Sequence, residues 1–420
     1  MTRPLTVLDA VLPDGTSVGL RTTDGAITEV GHDIVAAPGD DVLDARGQVL
    51  LPGLVNGHGH AAMTLFRGYG GDLPLMEWLE RKIWPAEAHL TDNDVYWGTR
   101  LACVEMIRSG TVRFWDMYWH PVAVAGAARD SGLRAVVGPP IIDGLDDVRG
   151  KHACVMAADA LDAIADMSPL VSPSLAPHGI YTVGEASLQW VAQESASRDV
   201  PVQLHFLETE EEVTGCVERS GLRPGAYLDR MGLFSERLVL AHGVWMDDSE
   251  LELVAAHGAT VVTNPVSNLK LAVGRVFPYS KARAAGVAVG LGTDGAASNN
   301  GLDLFQDVKV LALLQKFADH DPAVLPAEEA WAVAIGALAP SLGAAGILAV
   351  GEPADFLLVR GDAAELAPGH LMDNLVYAAS GAVVASTVVD GRVLMRDGVV
   401  DGEAEVRARA TECAARLGVL

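Results

Sequence analysis

Basic charge is scarce in this sequence. Thirty lysines and arginines face 55 aspartates and glutamates, for a formal net charge of −25 and a pI near 4.7, and such a chain is repelled by phosphate backbones and anionic membranes. Nucleic acid and membrane are therefore excluded as expected partners. Cysteine is equally sparse: Cys103, Cys154, Cys216 and Cys413 include no C-x-x-C pair. That spacing fits neither a disulfide framework nor a cysteine-rich zinc site, and it predicts a reducing, cytoplasmic setting. Long apolar runs are missing as well. In MTRPLTVLDAVLPDG, Asp9, Pro13 and Asp14 interrupt any signal-peptide core. The uncharged run from 330 to 351 is broken by Pro340, Ser341 and several glycines, which predicts two short buried helices and no membrane span. What remains is 50% hydrophobic and 20% charged over 420 residues, a composition that excludes disorder and builds a sizeable core.

From about residue 50, short β-branched runs alternate with amphipathic helical stretches. This is the pattern of parallel strands joined by crossover helices. The strand candidates are VLLPGLVNGHGH ending at His60, then runs starting at Thr111, Arg134, Leu170, Val202, Leu238, Thr260 and Val287. Eight such units predict a closed (β/α)8 barrel of the TIM type, whose chemistry sits at the carboxyl ends of its strands. The chain ends read differently. Asp-Gly pairs at 14–15, 24–25, 390–391 and 397–398 lie between Val- and Thr-rich stretches and predict antiparallel hairpins. The expected organisation is therefore residues 1–49 and 346–420 as the two halves of a small β-sandwich, the latter with a terminal helix from Glu403, around a barrel of residues 50–345.

His58 and His60 stand two apart at the end of the first strand, so both imidazoles project from one face. His205 ends the fifth strand, His242 the sixth, and Asp294 lies at the end of the eighth. Convergence of these groups on one barrel end predicts a metal site. Imidazoles with a single carboxylate suit zinc or ferrous iron, whereas calcium and magnesium take mostly oxygen ligands. A second metal would need a bridging carboxylate or carboxylated lysine near the fourth strand. LVSPSLAPH offers neither, so one divalent ion is expected, most simply zinc. Glu208, three residues after His205, has the strand-end register to move a proton between an activated water and a leaving nitrogen. Its neighbours Glu210, Glu211 and Glu212 read instead as an acidic first helical turn, favoured by the helix dipole. His257 and His320 fall in helical or linking segments and read as structural or surface residues.

The segments PGLVNGHGHAAMTLFRGYGGDLPLMEWLE, APHGIYT, HFLETEEEV, LAHGVWM, NPVSNLKL and GTDGAASNNGLDLF strongly resemble the amidohydrolase superfamily, in its branch of 5′-methylthioadenosine and S-adenosylhomocysteine deaminases and triazine hydrolases. The likeness runs over nearly the whole chain. It implies that His58, His60, His205 and Asp294 bind one metal, that His242 holds the attacking water, and that Glu208 shuttles protons. It also implies Trp78 and Glu87 for ribose and 5′ contacts and His178 for the purine ring. The expected reaction is hydrolytic deamination of an adenine nucleoside carrying a small or apolar 5′ group, such as 5′-methylthioadenosine, 5′-deoxyadenosine or adenosine. Ammonia and the inosine analogue are the products, and a homo-oligomer is the expected assembly.

Three positions depart from the family pattern: Gly59 where threonine is common, Ile180 for a usual proline, and Pro139 where homocysteine-accepting members carry arginine. Pro139 disfavours a substrate carboxylate, unless Arg149 swings into its place. Alternatives with the same machinery are an aminofutalosine, aminopurine or pterin deaminase and a triazine-type hydrolase. A metal-stabilised binding module without catalysis is a further alternative, opposed by the intact Glu208, His242 and Asp294 set. The H-x-E and P-C-x-x-C pattern of other zinc deaminases is absent.

Overall fold

Eight parallel strands close into a barrel in the computed structural model of the chain, which describes residues 3–343 and 347–420. They are Leu54–Asn56, Thr111–Met117, Arg134–Gly138, Val171–Pro173, Val202–Phe206, Leu238–His242, Thr260–Thr263 and Ala288–Leu291. One comes from each expected segment. The third and fourth continue after a break as Pro140–Ile141 and Ala176–Pro177, because Pro139 and Pro140 have no N–H to give the ladder. Fourth and fifth strands join through the parallel bridges Leu175–Val202 and Gly179–His205.

The crossover helices follow their sequence signals. Asp92–Arg108 starts on Thr91, whose hydroxyl and the Asp94 carboxylate form a reciprocal capping box, which satisfies two otherwise unpaired amides. Glu185–Arg198 follows Gly184, and Glu403–Leu417 is the terminal helix. In the uncharged run from 330, the helix Ala327–Ala334 and a 3-10 turn at Pro340–Leu342 stand where two helices were expected. Ile347 and Val350 beyond them are exposed, and the expected boundary at 345/346 lies outside the described residues.

Both chain ends build one nine-stranded, mainly antiparallel sheet. Phe356–Arg360 runs antiparallel to Gln48–Pro52 and so splices the two ends together. Three of the four Asp-Gly pairs turn its hairpins with both residues at positive φ: Asp24 and Gly25, Asp390 and Gly391, Asp397 and Gly398. This is the twist-matched turn those residues tolerate best. The sheet folds over its own apolar cluster, which includes Leu5, Leu20, Ile27, Leu50 and Phe356, all almost fully buried. Arg134 of the third barrel strand is tied to it by hydrogen bonds to Asp355 at 2.6 Å and Asp390 at 3.0 Å.

The barrel closes between its eighth and first strands. Gly57 N–H donates to the Leu291 carbonyl at 2.8 Å and Asp294 N–H to the His58 carbonyl at 3.0 Å. Gly292 sits in this seam, where a Cβ would lie 2.4 Å from Asn264 Oδ1 and 2.9 Å from both the N and O of His58. Gly292→Ala should therefore force the seam open and destabilise the protein by about 1–3 kcal/mol, the range for overpacking. A thermal unfolding midpoint equal to that of the wild type would refute this.

Candidate metal centre and its cavity

Each candidate ligand stands at the carboxyl end of a barrel strand. His58 and His60 follow the first, His205 lies in the fifth, His242 ends the sixth, and Asp294 lies three residues past the eighth. The ligand atoms of His58, His60, His205 and Asp294 all lie within 4.8 Å of one another. Asp294 Oδ1 is 3.2 Å from His60 Nε2 and 3.6 Å from His58 Nε2, and His205 Nε2 is 3.2 Å from His60 Nε2. The backbone bends to make this cluster: His242 and Asp294 adopt φ of 77° and 63°, a left-handed conformation that non-glycine residues keep where the surrounding structure over-determines it.

A shell of acceptors fixes which nitrogen of each ring faces inward. Nδ1 of His58 meets Gln203 Oε1 at 3.1 Å, that of His60 the Met117 carbonyl at 2.6 Å, and that of His205 the His178 carbonyl at 2.7 Å. Carbonyl oxygens can only accept, so each Nδ1 carries the proton and each Nε2 presents a lone pair to the cluster. Asp294 is oriented in the same way. Its Oδ2 accepts from Ser267 at 2.6 Å and Ser298 at 2.9 Å, leaving Oδ1 for the histidines. His58 Nε2 is buried and has no hydrogen-bond partner, an arrangement whose cost is explained if it faces a cation. Burial holds His58 neutral, its pKa pulled down to about 4. Burial opposes charge on Asp294, yet the His58 and His60 rings beside it hold its carboxyl well below the usual range. Burial opposes charge on His60 as well, but the Asp294 carboxylate beside it raises its pKa to about 9. A divalent ion, which requires neutral imidazoles and an ionised carboxylate, would displace that proton on binding, and three imidazoles with one carboxylate are a donor set that fits it.

A cavity open to solvent lies over the cluster. Glu208 and His242 share its inner wall, with His242 Nε2 3.9 Å from Glu208 Oε2. Burial, then the charge of Asp294, pushes the Glu208 pKa up to about 8. His242 Nδ1 donates to Asn268 Oδ1 at 2.8 Å, which leaves its Nε2 free to accept. Trp78, Glu87 and His178 also line it, the His178 ring 4.7 Å from that of His205. The half-buried Glu87 carboxylate accepts from the Tyr118 hydroxyl at 2.7 Å and Trp119 Nε1 at 3.1 Å. Burial raises its pKa, and these two donors act against that rise.

Two sequence expectations change. Arg149 does not reach the cavity. Asp146 caps the helix Asp147–Ala165, which puts Arg149 on its exposed first turn, pointing back at the Gly144 carbonyl. Pro139 is buried but does not line the cavity; Pro140 and Ile142 do. Among the described residues, those lining the cavity include no lysine or arginine. His257 and His320 lie on the surface as expected. Gln203, Ser267, Asn268 and Ser298, which orient the candidate ligands and His242, were not singled out from the sequence. Ser267 and Asn268 were nevertheless visible in NPVSNLKL, directly after a strand end where barrel chemistry gathers. Tyr118 and Trp119 have the same signal at the end of the second strand.

The amidohydrolase family profile matches residues 49–394. A 5′-deoxyadenosine deaminase of Methanoregula boonei is 47% identical over 382 residues, covering 90% of this chain and 86% of the relative. A 5-methylthioadenosine/S-adenosylhomocysteine deaminase of Archaeoglobus fulgidus is 41% identical over 411 residues, covering 96% of each chain. Among solved structures, an adenosine deaminase from Xanthomonas campestris with bound zinc superposes with a TM-score of 0.91 at 33% identity, over 99% of this chain and 98% of the other.

Proposed function

Since the chain belongs to the amidohydrolase family and hydrolyses C–N bonds, we propose that its substrate is an adenine nucleoside with a small or uncharged 5′ group. The observation that carries this reading is a three-histidine, one-aspartate cluster under a cavity shared with Glu208 and His242; the names of the relatives support it. In the reaction a water oxygen bonds to the purine carbon bearing the amino group, the C–N bond breaks, and ammonia leaves with the inosine analogue.

His58, His60, His205 and Asp294 would hold one divalent ion, zinc fitting the donor set best. When bound, such an ion supplies Lewis-acid activation of water near neutral pH. His242, with its proton on the Asn268 side, accepts a hydrogen bond from the attacking water. Glu208 carries a proton in its buried setting, donates it to the purine ring nitrogen, takes one proton from the attacking water and passes it to the departing ammonia, and recovers its own from the remaining hydroxyl as the C–N bond breaks and the carbonyl forms. His178 faces the base. Glu87, held by two neutral donors with acceptor capacity left over, binds ribose hydroxyls, and Trp78 packs against the sugar. Pro140, Ile142 and Ile83 exclude water from the remaining wall. Unpaired buried thiols fit a reducing compartment such as the cytoplasm.

The test is ammonia release by zinc-loaded protein across a panel of aminopurine nucleosides. Without an arginine or lysine to pair it, a desolvated carboxylate is costly. 5′-Methylthioadenosine or 5′-deoxyadenosine should therefore exceed S-adenosylhomocysteine in kcat/KM by about tenfold or more, the scale of one lost charged contact. A preference for S-adenosylhomocysteine would overturn the neutral-pocket reading, and no release from any adenosine would overturn the substrate class. Metal analysis of the same preparation should give about one ion per chain, as four ligands allow. A value near two that tracks activity would sink the single-ion assignment.

A further inference from the structure

Glu212 belongs by sequence to an acidic first helical turn, and it is only 4% exposed. Thr209 caps the helix Glu210–Ser220, and its hydroxyl accepts from the Glu212 N–H at 3.3 Å. A glutamate at that third helical position ordinarily reaches back to the N–H of the capping residue itself. Here the side chain reaches farther. Its Oε2 accepts the N–H of Glu208 at 3.0 Å, and the Leu207 N–H lies beside the same carboxyl. The other carboxyl oxygen is buried without a partner, so the arrangement does not maximise hydrogen bonding for its own sake.

Those two amides belong to an unusual turn. Leu207 has φ of 53°, a left-handed conformation that a branched side chain avoids unless its surroundings impose it. The Phe206 and Leu207 carbonyls are pinned by the N–H groups of Gly243 and Trp245, both at 2.9 Å. The sixth strand end thus fixes the turn's carbonyls while Glu212 holds the Glu208 amide. The turn connects His205, in the ligand cluster, to Glu208, which must face the cavity.

We propose that Glu212 is a positioning residue that aims Glu208 at the substrate by holding the Glu208 amide. This rests on the reading of Glu208 as the proton carrier. What matters is an acceptor at the right reach, not negative charge at a helix terminus. Consistent with this, burial pushes the Glu212 pKa up to about 8, so that glutamine is a close mimic of its form at neutral pH.

Glu212→Gln keeps reach and acceptor, whereas Glu212→Asp keeps charge and capping ability but falls a methylene short. In the zinc-loaded enzyme the glutamine variant should stay within about threefold of wild type, while the aspartate variant loses kcat by about thirtyfold or more with KM and metal content unchanged. In a Glu208→Gln background the aspartate change should cost less than about twofold, because residues acting through one another are not additive. An equal loss in both backgrounds would make Glu212 merely structural and overturn the proposal. So would glutamine falling as far as aspartate, or aspartate being active where glutamine is not. A Glu208→Gln enzyme with wild-type turnover would instead overturn the assignment of Glu208 itself.

Discussion

Replacing His205 by asparagine should remove the metal and the activity together. His205 is 5% exposed and points Nε2 into the cluster 3.2 Å from His60 Nε2. Asparagine can still donate to the His178 carbonyl that Nδ1 now uses, so the local backbone has a replacement bond, but the shorter side chain withdraws the donor atom. Losing even an outer partner of a ligand costs about 10–100-fold in metal affinity, and losing a ligand should cost more. After dialysis, the variant should hold far less than one ion per chain and release ammonia more than about a hundredfold more slowly, since the metal supplies the activated water. Retention of stoichiometric metal with full turnover would show that this histidine is not a ligand.

Glu208→Gln should separate the two functions. The side chain is buried beside the cluster but is not one of its four converging groups, so metal content should stay at the wild-type value. Glutamine preserves the volume and cannot release or collect a proton. Turnover should fall by about a hundredfold or more, the usual scale for a positioned acid–base group, while substrate binding persists. The measurement is kcat beside KM and metal content on one preparation. Deamination at the wild-type rate would assign proton transfer elsewhere, and loss of the metal would make Glu208 a ligand.

These two variants, argued from the structure, are also the ones the sequence pointed to, and the reason is periodicity. Strand-end positions in a β/α barrel converge whatever the intervening helices do, so His58, His60, His205, His242 and Asp294 could be brought together from their places after β-branched runs. The Asp-Gly hairpins were legible for a similar reason, since few residues accept two successive positive φ angles. Arg149 was misjudged because its distance in sequence from Pro139 says nothing about direction. Asp146 starts a helix that turns its guanidinium outward.

Local pattern thus determined the barrel, the sheet shared by both chain ends, and the residue types of a metal-dependent hydrolase. Tertiary structure alone decided the protonation and orientation of those residues. Gln203 and Met117 from two strands, His178 from just past a third, and Asn268 from a short helix hold the four imidazoles, and Glu212 of an acidic helix start becomes a buried acceptor. A hydrogen bond depends on ångström-scale placement of two groups distant in sequence, whereas strand and helix periodicity is written in adjacent residues.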